Sequence, residues 1–320
     1  MRRLRHKLGQ RPKKRRPELN PLQETGPVPS PSNSQSHTDT DSGSSKNPPF
    51  SFPDGVKVLH DCPDATVDIC FVHGLTGDRE STWTAEGQSI PWPKSLLPPR
   101  LSRARILTYG YDAYVVRVSV ASANRLNDHA MNLLTKLTTN RELHNASSRP
   151  LIFVAHSLGG LVCKEAILLS RNNPELHLCR MFECIKGVIF MGTPHKGTWM
   201  ANWAKIQASA IGLVKSTNKS LLEVLETNNQ YLESIQSRFM AMLREQREGG
   251  RPLGVTCFLE ELPLPVAGQV VCKASAILEG FTFVTIHANH RDMVRFASTE
   301  EDGFQMLLGE LIRWEAQLGK

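Results

Sequence analysis

Residues 151–162 read Leu151-Ile-Phe-Val-Ala-His-Ser157-Leu-Gly-Gly-Leu-Val162. The apolar run from Leu151 to Val154 stops at Ala155, His156 and Ser157. Two glycines then lead into a helical pattern of Leu161, Val162, Ala166, Ile167 and Leu168. A serine on so tight a strand-to-helix turn is strained and has its hydroxyl pushed outward, which is the geometry of a nucleophile elbow. Small residues flank it because strand and helix approach closely there; Ala155 stands in place of the usual first glycine. The new helix points unpaired backbone N–H groups at the serine, where they can stabilise a developing oxyanion. The competing reading is a serine that only caps a buried helix. The apolar strand before it and the apolar helix after it favour the elbow.

The segments around this turn repeat the same alternation. Strands are expected at 56–60, 66–72, 105–110, 151–155, 185–191, 254–259 and 281–286, and helices at about 122–140, 158–172 and 300–317. The central strands, such as Ile69-Cys-Phe-Val72 and Val188-Ile-Phe-Met191, are continuous apolar runs. Runs of that kind belong to strands covered on both faces by helices. The expected fold is α/β, three layers around a mostly parallel sheet. A long insert at about 198–250 carries Trp199, Trp203, Leu221, Leu222, Leu225, Phe239 and Leu243. It reads either as extra core helices or as a cap over the site, since long inserts in compact domains are often functional.

The 320 residues carry a net charge of +7, but residues 1–17 hold nine of the 38 Lys and Arg and no acid. The remaining 29 basic residues face 31 acidic ones, so the folded part is near neutral and is not expected to bind nucleic acid. Residues 1–50 are basic, then rich in Pro and Ser, and are expected to stay disordered ahead of a domain at 55–318. The Pro12-Lys-Lys-Arg-Arg-Pro17 cluster suits an import receptor or an anionic surface. A mitochondrial presequence fits less well, because Leu4 and Leu8 make a thin apolar face and Pro12 breaks a helix. With no signal-peptide pattern and no run of 18 apolar residues, the expected location is cytoplasm or nucleus, not secreted. Seven scattered cysteines without metal-type spacing read as buried small hydrophobes in a reducing compartment, and no cofactor or metal is expected.

A serine nucleophile needs a base, and the base needs an orienting acid. On this kind of sheet they follow in the order serine, acid, histidine. Beyond His195 the histidines are His287 and His290. His287 ends an apolar strand and is expected to be partly packed. His290 lies on the loop just past it, where a base belongs. No aspartate occurs between Asp128 and Asp292, so the acid is a glutamate, and Glu260 and Glu261 end the strand at 254–259. The oxyanion donors are expected to be the N–H of Leu158, after the nucleophile, and that of Leu75, in Val72-His-Gly-Leu-Thr-Gly77.

Six motifs in order also carry a resemblance: Phe71-Val-His-Gly-Leu75, Leu107-Thr-Tyr-Gly-Tyr-Asp112, Val154-Ala-His-Ser-Leu-Gly-Gly160, Met191-Gly-Thr-Pro-His-Lys-Gly197, Phe258-Leu-Glu260 and Asn289-His-Arg-Asp-Met293. Over about 55–315 the chain resembles the lipase-like serine esterases of the α/β-hydrolase superfamily, related to GPI inositol-deacylases and to the N-terminal domains of fungal NACHT-type receptor proteins. The resemblance implies an α/β-hydrolase fold with the insert as a helical cap. It also implies Ser157 as nucleophile, His290 as base and Glu260 as acid, with Gly192 to His195 at the mouth of the site and His195 structural. The chain departs from the family pattern at Val271-Cys-Lys-Ala-Ser275, where relatives tend to have Pro-Glu before the Ser. The function expected is hydrolysis of a carboxylic ester, with an apolar acyl or lipid substrate. The alternatives are acyl transfer by the same residues and a signalling or interaction module without turnover.

Overall fold

The computed structural model describes residues 53–74, 77–111, 123–196, 219–265 and 268–318. The basic tail, Leu75 and the first part of the insert therefore lie outside the described residues. Seven strands, β1 (Gly55–His60), β2 (Val67–Val72), β3 (Ala104–Gly110), β4 (Leu151–His156), β5 (Ile185–Met191), β6 (Gly254–Glu260) and β7 (Thr282–Ile286), make one sheet. Their order is β1-β3-β2-β4-β5-β6-β7. Only the β1–β3 pair is antiparallel; every other pair in the sheet is parallel. The principal helices are α1 (Ala123–Leu143), α2 (Leu158–Arg171), α3 (Leu176–Cys184), α4 (Lys219–Glu248) and α5 (Asp302–Leu318).

Burial follows from the period of two along each strand. Cys70, Val72, Phe153, Ala155, Val188 and Phe190 face one way and pack with side chains of α1 to α4. Ile69, Phe71, Ile152, Val154, Ile189 and Met191 face the other way and pack with Trp83, Trp92 and α5. Strands β2, β3 and β4 are buried along their whole length, which is why they read as largely apolar, with Asp68, Arg105 and Thr108 as buried polar exceptions. At the N-terminal end of β2 the buried Asp68 carboxylate accepts hydrogen bonds from Arg141 at 2.7 Å and Arg149 at 2.9 Å, tying the strand to the last turn of α1 and the loop after it. The expected α/β-hydrolase fold is present.

Two expectations are refined. Of the insert's two readings, extra core helices or a cap, the described side chains of α4 take the first. Ile235, Phe239, Met242 and Leu243 of α4 are buried in the sheet–helix core. On its polar flank, Arg238 and Tyr231 bond Glu165 of α2, and Arg171 of α2 meets Glu245. Apolar side chains at helical spacing went to the nearest sheet face, where they bury more surface than a cap could. Strand β7 is also not an apolar interior strand. It is an edge strand, and Thr282, Phe283 and Thr285 are exposed. No helix among the described residues is long and apolar enough to cross a membrane.

Candidate active site

The C-terminal ends of β2, β4, β5, β6 and β7 gather the candidate residues. Ser157 follows β4 with φ +53° and ψ −124°, a conformation an L-residue seldom adopts outside functional turns. Its backbone N–H donates to Met191 O at 2.9 Å, locking the turn against the end of β5. The side chain makes no capping bond to α2, so the serine does not serve as a helix cap. The glycines explain how α2 can start here. A Cβ on Gly159 would lie 2.4 Å from His73 O, and one on Gly160 would lie 2.1 Å from Thr193 Oγ1. Side chains at either position would push the helix off the ends of β2 and β5.

The hydroxyl is not on open surface, as the elbow alone suggested. Ser157 is 3% exposed. The loop after β2 closes over it, so near that a Cβ on Gly74 would sit 2.8 Å from Ser157 Cβ. That loop is held by His73, whose Nδ1 donates to Gly74 O at 2.7 Å and whose Nε2 accepts from Tyr111 N–H at 3.3 Å. Tyr111 stacks on the imidazole and donates its hydroxyl to His73 O at 3.0 Å. Burial drives the His73 pKa down to about 4, so the ring is neutral and its tautomer is fixed by these two bonds.

Glu260 and His290, the candidate acid and base, meet past the C-terminal ends of β6 and β7. His290 is buried, and its Nδ1 bonds Glu260 Oε2. The second carboxylate oxygen, Oε1, accepts the N–H groups of Val270 at 2.7 Å and Val271 at 3.1 Å. Glu260 is thus a buried carboxylate with a complete set of donors, as such groups require. The backbone of the loop departing from the family pattern holds the acid, so its side chains can vary. Glu261 is exposed and bonds His287 at 3.0 Å; hydrogen bonds from Thr285 and His287 lower its pKa. His287 is 80% exposed, not partly packed, because it follows an edge strand. The two glutamate–histidine pairs differ in burial and in the backbone N–H groups that reach Glu260.

The ring of His290 lies against Gly192, whose φ is +56°. A Cβ there would come within 2.9 Å of the imidazole. Since Met191 holds Ser157 N–H, the Met191–Gly192 pair touches both the candidate nucleophile and the candidate base. Leu158 begins α2, so its N–H opens the helix at the serine. The other expected oxyanion donor, Leu75, lies outside the described residues. His195 is buried beneath α2, bonded to Lys164 Nζ at 2.7 Å and 3.5 Å from Cys257 Sγ. Burial holds His195 well below its usual pKa and lowers Lys164 to about 7. Among the described residues, no three His, Cys, Asp or Glu side chains converge as a metal ion would need.

Sequence reasoning gave no role to His156. It is buried and neutral, held well below its usual pKa by burial and then by the charge of His290. Its Nε2 donates to His290 O at 2.9 Å. His73 and Tyr111 were inside quoted motifs but carried no assignment either. The available signal was a histidine at the C-terminal end of each of two mostly apolar strands.

Parts of the chain are similar to known proteins. Residues 117–246 match the family described as "Putative serine esterase (DUF676)". That span holds Ser157 and stops before Glu260 and His290. Protein SERAC1 of Danio rerio is 30% identical over 177 residues, covering 48% of this chain and 26% of that protein. Protein SERAC1 of Homo sapiens is 24% identical over 277 residues, covering 76% of this chain and 39% of that protein. The chain thus spans well under half the length of these curated relatives. A lipase-esterase related protein from Clostridium acetobutylicum is 11% identical, with a TM-score of 0.43, over 81% of this chain and 98% of that one. Over residues 117–246 the chain is thus similar to serine esterases, and its sheet has the strand order and directions of an α/β-hydrolase fold.

Proposed function

We propose that this domain hydrolyses carboxylic esters through an acyl-serine intermediate, with Ser157 as nucleophile, His290 as general base and acid, and Glu260 as the orienting acid. The observation that carries the reading is the buried His290–Glu260 pair, packed through Met191–Gly192 against the strained elbow of Ser157. A domain kept for binding alone has no use for a buried carboxylate whose lone pairs are committed to an imidazole and two backbone N–H groups.

In the first half-reaction, His290 Nε2 takes the Ser157 hydroxyl proton as Oγ attacks the ester carbonyl. The imidazolium that forms keeps its Nδ1–H on Glu260, which stabilises the charge and fixes the tautomer. The carbonyl oxygen becomes an oxyanion, met by the N–H groups of Leu158 and Leu75. Collapse breaks the bond to the alkoxide, which leaves with the proton from Nε2. Water then attacks the acyl-serine, giving its proton to His290 and releasing the acid and free Ser157. No step needs a cofactor.

The test is labelling and turnover on purified protein. A serine-reactive phosphonate is expected to label the chain once, at Ser157, and Ser157→Ala is expected to abolish labelling and hydrolysis of p-nitrophenyl esters. Hydrolysis by the Ser157→Ala protein at the wild-type rate would sink the proposal.

A further inference from the structure

We propose that His156 is a positioning residue for the base, a strut from the strand that carries Ser157 to the loop that carries His290; the inference rests on the esterase reading above. The need for it comes from the sheet order. Ser157 follows β4 and His290 follows β7, and two strands, β5 and β6, lie between them. Small shifts at three strand interfaces would add up in the spacing of nucleophile and base. His156 bypasses them. It is the last residue of β4 and donates from Nε2 to His290 O at 2.9 Å, across 134 residues of sequence. The two rings lie 4.8 Å apart, centroid to centroid, tilted by 39°.

The contact settles the chemistry of the strut. A carbonyl oxygen only accepts, so Nε2 carries the hydrogen and Nδ1 is the bare nitrogen. The imidazole is stiff and brings its donor far enough to reach a backbone in the neighbouring loop. It is also uncharged, as a group beside His290 should be, because His290 becomes cationic during turnover. His290 is then fixed at three places: its carbonyl by His156, its Nδ1 by Glu260, and its ring by the bare Cα of Gly192. The first of these links it directly to the strand of the nucleophile.

The test compares His156→Leu with His156→Gln in the full chain. Leucine keeps bulk and removes the donor, while glutamine keeps an N–H donor at the tip. His156→Leu is expected to lower kcat by about ten-fold or more with KM little changed, because misplacing a reacting group by about 1 Å costs up to roughly 100-fold. His156→Gln is expected to recover most of that loss. A folded His156→Leu protein with wild-type kcat would overturn the proposal, and so would equal losses in both folded variants. A second readout needs no turnover: in 15N-edited spectra of the wild-type protein, His156 should be the Nε2–H tautomer. The Nδ1–H of His290 should exchange with water faster in His156→Leu and not in His156→Gln. A His156 found as the Nδ1–H tautomer, or an unchanged exchange rate in His156→Leu, would refute the strut. If the wild-type protein is neither labelled nor active, it is the esterase reading that fails, and the spectra still judge the strut.

Discussion

Replacing Glu260 by glutamine tests the acid at the level of single hydrogen bonds. The side chain has two jobs. Oε1 accepts two backbone N–H groups, from Val270 and Val271, while Oε2 faces His290 Nδ1. An amide can satisfy only one arrangement. With its NH2 toward Val270 and Val271, buried donors would face donors, at about 1–3 kcal/mol for each group left unsatisfied. The amide oxygen therefore stays with the backbone, and the NH2 faces His290. Nδ1 must then accept, which moves the ring hydrogen to Nε2, and a protonated Nε2 cannot take the proton of Ser157. A tautomer error of this kind lowers kcat by about 10⁴-fold in a serine protease, or roughly 5 kcal/mol of barrier. We expect a loss of that order from Glu260→Gln, measured as kcat on a p-nitrophenyl ester, with the thermal transition little moved because Val270 and Val271 keep their acceptor. Glu261→Gln changes only an exposed pair with His287 and should leave kcat as it was. A large loss in Glu261→Gln and a small one in Glu260→Gln would refute the assignment.

Other outcomes follow from the same geometry. Gly192→Ala combines a positive φ with a Cβ 2.9 Å from the His290 ring, so kcat should fall by about 10- to 100-fold in a protein that still folds; wild-type kcat would show that the ring has room to move. His73 has a usual pKa of 6.5 and a folded pKa of about 4, so the unfolded chain binds its proton first. Its contribution to stability is complete above about pH 6.5 and is lost as pH falls toward 4, and His156 and His195, also lowered, act in the same direction. Thermal melts should show Tm falling across that window, and a flat Tm would contradict burial of neutral imidazoles. Lys164 is lowered from 10.5 to about 7, so the unfolded chain again holds the extra proton and stability rises with pH from about 7 upward; Lys164→Met should remove that rise. Deleting residues 1–50 should leave Tm and esterase activity unchanged while altering salt-dependent binding to anionic vesicles, since that attraction is carried by screened, exposed charge. A truncated chain that does not fold would place the domain boundary earlier.

The sequence was most legible where one physical constraint decides a residue. Parallel strands buried on both faces are mostly apolar, so β2, β4 and β5 were found nearly to the residue. The elbow was legible because close packing at Gly159 and Gly160 excludes every side chain. Glu260 and Glu261 could not be told apart from the residues alone, because the difference between them is burial at a strand end and the backbone N–H groups of a loop ten residues on. The insert stayed open between two readings for a related reason: apolar residues at helical spacing look the same whether they face a sheet or a pocket, and Phe239 faces the sheet. His156 escaped notice because its partner is a carbonyl, and backbone atoms leave no mark on a sequence.

The place of β7 in the sheet has a consequence for how this protein would die on heating. Ser157 hangs from β4, which has a strand on either side, whereas the loop bearing His290 hangs from β7, which among the described residues pairs with β6 alone. Strand pairs at an edge open at lower free energy than those inside a sheet. The base should therefore leave its post while the nucleophile is still seated, and activity should vanish some degrees before circular dichroism registers unfolding. In that interval the loss is reversible on cooling, and an acyl group held at Ser157 would outlast the machinery that removes it. Mild warming then becomes a way to trap the intermediate.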